Sequence, residues 1–257
     1  EDRKNTGYTI KSFLETFKNK KSKPALVLKT SQVTNSIIDR EEILKKIDAI
    51  KQTVKGDLPN VYLLHGDLED KDINDLYNHG KIKAMVSLTK GEGFGRPLLE
   101  FSLTKKPIIA SNWSGHLDFL HTDYSLLVGG VLTNVHSSAV AQNMLLADTQ
   151  WFTPNDNEVA DAYKKVYENY SKCLDGANRQ AHYSKTNFSF DKMAEALDNI
   201  LESKIPKQVE LKLPKLKKII KEEIIKVLSE AGTETAPVKT PAKPTTTPSE
   251  PGPLTPK

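Results

Sequence analysis

Glu92 and Glu100 stand eight residues apart and bracket the densest chemical signal in the chain, TKGEGFGRPLLE from Thr89 to Glu100. Glycines occupy positions 91, 93 and 95, and Pro97 follows. Glycine lets a backbone approach a ligand closely. Proline suits the first turn of a helix, where its missing N–H would have no partner anyway. The free N–H groups of a helix start suit an anion such as a diphosphate. The run is not a Walker loop, because no Gly-Lys-Ser/Thr closes it, nor is it G-x-G-x-x-G, because the third glycine comes one residue early. The two carboxylates add what glycine alone lacks. Glu92 is expected in the loop, at the ligand. Glu100 is expected about one turn into the helix, among Leu98, Leu99 and Phe101. A carboxylate on a half-buried helix requires a donor, and sugar hydroxyls are suitable donors.

Such a junction needs a strand before it and a helix after it, and the chain supplies both. Short apolar runs of strand length occur at Pro24 to Thr30, Val61 to Leu64, Ala84 to Leu88, Pro107 to Ala110 and Ser125 to Val128. Helical patterns separate them, at Thr9 to Lys18, from Asp39 to about Val54, at Asp70 to Tyr77, and from near Pro97. Asp39, with Glu42 three residues on, reads as the N-cap of the second. Strands alternating with helices predict an α/β domain, a Rossmann-like parallel sheet with helices on both faces. Ligands in such folds bind beyond the C-terminal ends of the strands. That singles out the loops near Thr30, His65 and Gly66, Thr89 to Gly95, and Ser111 to His116. After Val140 the pattern becomes helical, at Met144 to Ala147, Asn157 to Lys172 and Phe190 to Leu201.

Charge and proline divide the chain further. Of 257 residues, 37 are Lys or Arg and 33 Asp or Glu, a net +4. Residues 204–257 hold 11 Lys and 6 Glu, so the basic excess belongs to the tail and the body is nearly neutral. Nine of the 14 prolines lie there too. Three parts are expected: residues 1–203 as a ligand-binding domain, 204–232 as a linker and amphipathic helix, and 233–257 as a disordered Pro/Thr/Lys-rich tail. Leu216, Ile219, Ile220, Ile224, Val227 and Leu228 fall at helical spacing, so residues 213–228 are expected to pack on the body or to self-associate. The single cysteine, Cys173, forms no internal bridge and points to a reducing, cytoplasmic setting. No apolar run reaches the ~20 residues of a membrane span, and no signal peptide is visible. The histidines show no metal spacing, so no metal is expected. Ser114 lacks the Gly-x-Ser-x-Gly frame of a hydrolase. The tail has Lys but no Arg and no interleaved aromatics, a poor nucleic-acid signature.

The run GEGFGRPLLE, with its Glu-x7-Glu spacing, resembles the signature of family-4 glycosyltransferases, which have the GT-B fold. KPIIASNWSGHLDF from Lys106 to Phe119 is similar to a second family segment, and Asn60 to Gly66 to the strand before the base-binding loop. Arg3, Lys4 and Asn5, with Phe13 beyond, resemble the family's phosphate-binding helix start. Trp151 to Pro154, the helix to Tyr170, and Asn187 to Phe190 are similar to its C-terminal end. Coverage runs from Arg3 to about Leu201.

The resemblance implies the C-terminal, nucleotide-sugar-binding half of a retaining, metal-independent glycosyltransferase. Its catalytic group would be Glu92, on the sugar hydroxyls, with Arg3 and Lys4 neutralising the diphosphate. Its donor-binding group would be Glu100 on the ribose, the backbone of Gly93, Phe94, Gly95 and Leu98 on sugar and phosphate, and His65 and Gly66 around the base. No cofactor beyond the nucleotide-sugar donor is implied. The acceptor-binding N-terminal domain and the strand before Arg3 are expected to be missing. Arg96 and His116 depart from the residues usual in the family. Two alternatives remain open at this level. One is a non-catalytic GT-B-like scaffold module. The other is a sugar transferase acting on modified DNA, with the Lys-rich tail as a tether.

Overall fold

The computed structural model describes residues 2–30, 35–140, 146, 148–204 and 217–225. The chain divides into two units, Glu1–Leu197 and Asp198–Lys257. The order in the first is α1 (Thr6–Phe17), β1 (Leu26–Thr30), α2 (Ile37–Gln52), β2 (Val61–His65), α3 (Asp70–Asn78), β3 (Met85–Ser87), α4 (Arg96–Ser102), β4 (Ile108–Ser111), a short 3₁₀ turn (Gly115–Asp118), β5 (Leu126–Val128), β6 (Gly130–Asn134), β7 (Gln150–Pro154), α5 (Asp156–Glu168) and α6 (Tyr170–Asn187). α7 (Phe190–Lys204) runs through the division.

All five expected strands form, and all run parallel to their neighbours. They make two sheets rather than one: β1 pairs with β2, and β3, β4 and β5 pair in that order. Successive residues of a strand face opposite sides of a sheet, and β4 shows it. Ile109 joins a core with Ile10, Leu14 and Phe17 of α1 and Val159 of α5. Ile108 and Ala110 join another with Leu98 and Phe101 of α4 and with Phe119. β4 is thus buried on both faces. Leu26 of β1 and Leu28 beside it pack on the same core as Leu88 and Val128, so one layer of α1, α2 and α5 underlies strands of both sheets. Ile10, Phe13, Leu14 and Phe17 reach it because positions three, four and seven apart share one helix face.

Four expectations are corrected. α2 begins earlier than expected, with Ser36 rather than Asp39 as its cap: the Ser36 hydroxyl accepts the Asp39 N–H at 3.1 Å. α1 begins at Thr6, three residues before the apolar pattern shows. The helix expected at Asn157 to Lys172 is two helices, broken at Asn169 (φ −127°, ψ 37°). Asn155 caps the first, its Oδ1 accepting the amides of Asn157 (3.0 Å) and Glu158 (3.2 Å). Finally, β6 and β7 form an antiparallel pair where no strand was expected, with Leu132 opposite Phe152. The helix expected at Met144 to Ala147 lies almost wholly outside the described residues.

In the second unit, residues 217–225 are helical, within the predicted amphipathic segment. Lys217 Nζ lies 2.8 Å from Glu202 Oε1 and 3.8 Å from Asp198 Oδ1. The rest of 213–228 and the Pro-rich tail lie outside the described residues. No described helix is long and apolar enough to cross a membrane.

Candidate functional site

The loop from Gly91 to Gly95 leaves β3 and enters α4, as the glycine and proline pattern requires. Gly95 precedes α4 with φ +88°, a conformation that favours glycine, and Pro97 stands in the first turn. Among the described residues no protein acceptor takes the amides of Gly93, Phe94 or Gly95. The Leu98 amide is engaged, donating to Gly95 O at 2.9 Å, and the Leu98 side chain is core.

Residues 3 to 5 lie against this junction although 83 to 89 positions separate them from it. Lys90 N donates to Arg3 O at 2.9 Å, and Asn5 Nδ2 to Leu88 O at 3.0 Å. Lys90 also joins β7: Phe152 N donates to Lys90 O at 3.1 Å, and Lys90 Nζ sits 3.9 Å above the Trp151 ring. The chain from Arg3 to Asn5, the end of β3 and the β6–β7 hairpin thus form one wall. A cavity of about 330 Å³ opens in it, lined by Asn5, Tyr8, Lys90, Trp151 and Thr153 among others. A larger one, about 390 Å³, lies elsewhere, between Tyr124 and α6.

Glu92 is the meeting point. Its amide donates to Ser114 Oγ at 2.7 Å, and its carbonyl accepts Gly115 N at 3.0 Å. Ser114 adopts φ +76°, unusual for a residue with a side chain. Lys4 Nζ lies 2.6 Å from one carboxylate oxygen of Glu92, and Arg3 Nη1 lies 3.0 Å from the other. Arg3 also donates to Gly91 O. The Glu92 side chain is only 10% exposed, against 53% for Arg3 and 55% for Lys4.

Burial pushes the Glu92 carboxyl up, but the hydrogen bonds and charges of Lys4 and Arg3 outweigh it and leave it below its ordinary 4.5. A carboxyl held low in the folded state stabilises that state above its unfolded pKa. The contribution disappears as pH falls through the lower folded value. A carboxyl-carbon NMR titration of Glu92 is therefore expected to show a midpoint below 4.5. A midpoint at or above that value would mean that the cluster does not persist in solution.

Glu100 lies on α4, 42% exposed, with Oε1 3.0 Å from Arg96 Nε. Its partner in the structure is therefore a neighbour on the same helix. His65 ends β2 in the other sheet, and its Nε2 lies 2.7 Å from Asp39 Oδ2 of α2. Both side chains are buried, so His65 joins the strand end to the helix start. Gly66 follows with φ +105° and open space around it. The structure brings Arg3, Lys4 and Glu92 into contact; His65 and Gly66 belong to the end of a different strand.

Sequence reasoning placed three further residues in the expected ligand loops but gave them no part in the site. Ser114 and Gly115 hold the Glu92 backbone, and Lys90 joins Arg3 to β7. The Ser-Gly pair inside the Lys106 to Phe119 segment was the available signal for the first two. His116 is fully buried, its Nε2 2.6 Å from Ser111 O, and it underlies Gly95. Among the described residues no three His, Cys, Asp or Glu side chains gather as a metal cage.

Parallel strands, helices on both faces and a glycine-rich strand–helix junction make this a Rossmann-like domain of the kind found in GT-B glycosyltransferases. The glycosyltransferase from Rickettsia africae ESF-5 matches with a TM-score of 0.52 at 18% identity, over 79% of this chain and 45% of that one. The C-terminal domain of the glycosyl transferase group 1 family protein LpcC from Francisella tularensis matches with a TM-score of 0.50 at 15% identity, over 74% of this chain and 82% of that one. The likeness at these identities is one of fold. This chain spans less than half of the Rickettsia protein but most of the isolated C-terminal domain. No family model and no curated protein matches its sequence.

Proposed function

We propose that this chain is the donor-binding half of a family-4-type glycosyltransferase and takes a nucleotide-diphosphate sugar. The observation that supports this most is the convergence of Arg3, Lys4 and Glu92 at a glycine-rich helix start whose loop amides meet no acceptor among the described residues. Arg3 and Lys4 carry the charge that a departing diphosphate needs neutralised, the task a metal ion performs in other transferases. The amides of Gly93, Phe94 and Gly95 complete an anion cradle. Glu92 receives the sugar hydroxyls, and Glu100 the ribose hydroxyls. The loop at His65 and Gly66 borders the base. Transfer proceeds with retention and requires an acceptor-binding domain beside this one.

The test is calorimetry with UDP-glucose, GDP-mannose and ADP-glucose, with Glu100→Ala as the control. Wild type is expected to bind at least one. The variant should lose about tenfold to a hundredfold in affinity, the worth of one or two hydrogen bonds to a charged group. Equal binding by the variant would remove Glu100 from the site. Binding of none of the three by a folded sample would favour a scaffold module instead.

A further inference from the structure

The function proposed above gives Arg3, Lys4 and Glu92 separate ligands, yet here they are one another's partners. Each oxygen of the Glu92 carboxylate takes one cation, Lys4 at 2.6 Å and Arg3 at 3.0 Å. To these cations a carboxylate and a phosphate offer the same thing, a set of anionic oxygens with room for two donors. We infer that Glu92 stands in for the diphosphate on Arg3 and Lys4 until a donor binds. Donor binding then draws Arg3 and Lys4 onto the phosphates and frees Glu92 for the sugar.

The geometry says which partner moves. Glu92 is fixed through its backbone on both sides, by Ser114 Oγ and Gly115 N, and its side chain is nearly buried. The side chains of Arg3 and Lys4 are more than half exposed, so no packing stands in the way of their turning to a ligand; Arg3 would also give up its bond to Gly91 O. The exchange has a cost that depends on the ligand. A nucleotide diphosphate without sugar takes the cations and leaves a buried carboxylate without partners, which is unfavourable. An intact donor takes the cations and satisfies the carboxylate with hydroxyls. One residue thus couples phosphate recognition to sugar recognition. The site distinguishes donor from spent product and favours release of the product after transfer.

The inference rests on the donor-binding function, and the test separates the two. Wild type and Glu92→Gln are titrated with UDP and UDP-glucose, GDP and GDP-mannose, and ADP and ADP-glucose. Glutamine keeps the shape but does not hold the cations. For the base that binds, Glu92→Gln is expected to raise affinity for the bare diphosphate about threefold to tenfold, the summed worth of two ion pairs whose cations lie in solvent. It should lower affinity for the sugar nucleotide by at least as much. The opposite signs are the signature. If both affinities rise, Glu92 contributes only its charge; if both fall, or neither changes, it is no placeholder; any of these overturns the inference and leaves donor binding standing. If neither variant binds any of the six, the donor-binding function fails with it. Glu92→Asp, which keeps the charge but retracts it by one methylene, serves if the glutamine variant does not fold. It should raise diphosphate affinity by less, and lowered affinity for both ligands would again overturn the inference.

Discussion

Gly115→Ala is expected to abolish donor binding while costing the fold only about 1–3 kcal/mol, the usual price of an overpacked contact. A Cβ at this position would stand 1.9 Å from Gly93 O, 2.6 Å from Gly93 C and 2.9 Å from Glu92 O. All three are backbone atoms, so no side-chain rotation relieves the clash, and the glycine-rich loop itself must move. As it moves, the Gly115 N–H to Glu92 O hydrogen bond breaks. Glu92 is carried away from Lys4 and Arg3, and the free amides of Gly93 to Gly95 lose their aim. The loop is proposed to give the donor several hydrogen bonds to charged groups, each worth about 1.5–3 kcal/mol, so a loss of at least about a hundredfold in donor affinity is expected. Calorimetry measures it, and a thermal melt confirms that the variant is folded. Ser114→Ala is the milder companion. It removes one hydrogen bond to the Glu92 amide, worth about 1 kcal/mol or roughly fivefold. Unchanged donor affinity in Gly115→Ala would place the ligand away from this loop.

Gln180→Ala is expected to unfold the domain far more readily than any surface change. Gln180 is 2% exposed and uses both ends of its amide. Its Nε2 donates to Phe119 O at 2.6 Å and to Ser184 Oγ at 3.0 Å. Its Oε1 accepts the His121 amide at 2.9 Å and the Ser125 hydroxyl at 3.0 Å. These bonds hold the segment between the 3₁₀ turn and β5 on α6. Truncation leaves several buried polar groups without partners, each worth about 1–3 kcal/mol, and a cavity besides. A total of roughly 3–5 kcal/mol is expected, which in a domain of this size lowers Tm by about 10 °C. Urea unfolding of both proteins measures the difference. A loss under about 1 kcal/mol would show that water replaces the glutamine amide there.

What the sequence made legible follows from how local each signal is. The five parallel strands and their helices announce themselves through runs and periods, and the glycine junction through residues that have few other uses. Asp39 shows the limit. Asp with Glu three residues later is a fair cap signal, but Ser36 takes the role, and the Asp39 carboxylate faces His65, 26 positions away. No local pattern encodes that pairing. β6 and β7 escaped for a related reason. Their partners are distant in sequence, and Val131 and Leu132 are exposed, so no clean alternation marks a buried face. The break at Asn169 sits inside a stretch whose apolar spacing continues across it. The family resemblance put Arg3, Lys4 and Glu92 at one site but on separate ligands; their contact with one another was not legible, because it joins the start of the chain to its middle. The hold of Ser114 and Gly115 on the loop depends on distances that residue types alone do not carry.

The division of the strands into a pair and a triplet has a mechanical consequence. Backbone hydrogen bonds tie β1 to β2 and tie β3, β4 and β5 together, but among the described residues no such ladder joins the two groups. Side chains from α1 and α2 bridge them instead. Side-chain packing is not directional and yields gradually, whereas a ladder holds its register until it breaks. The seam between the β1–β2 pair and the β3–β4–β5 triplet is therefore where the domain's cooperativity is expected to be weakest, and where a partial opening under heat or denaturant is expected to begin.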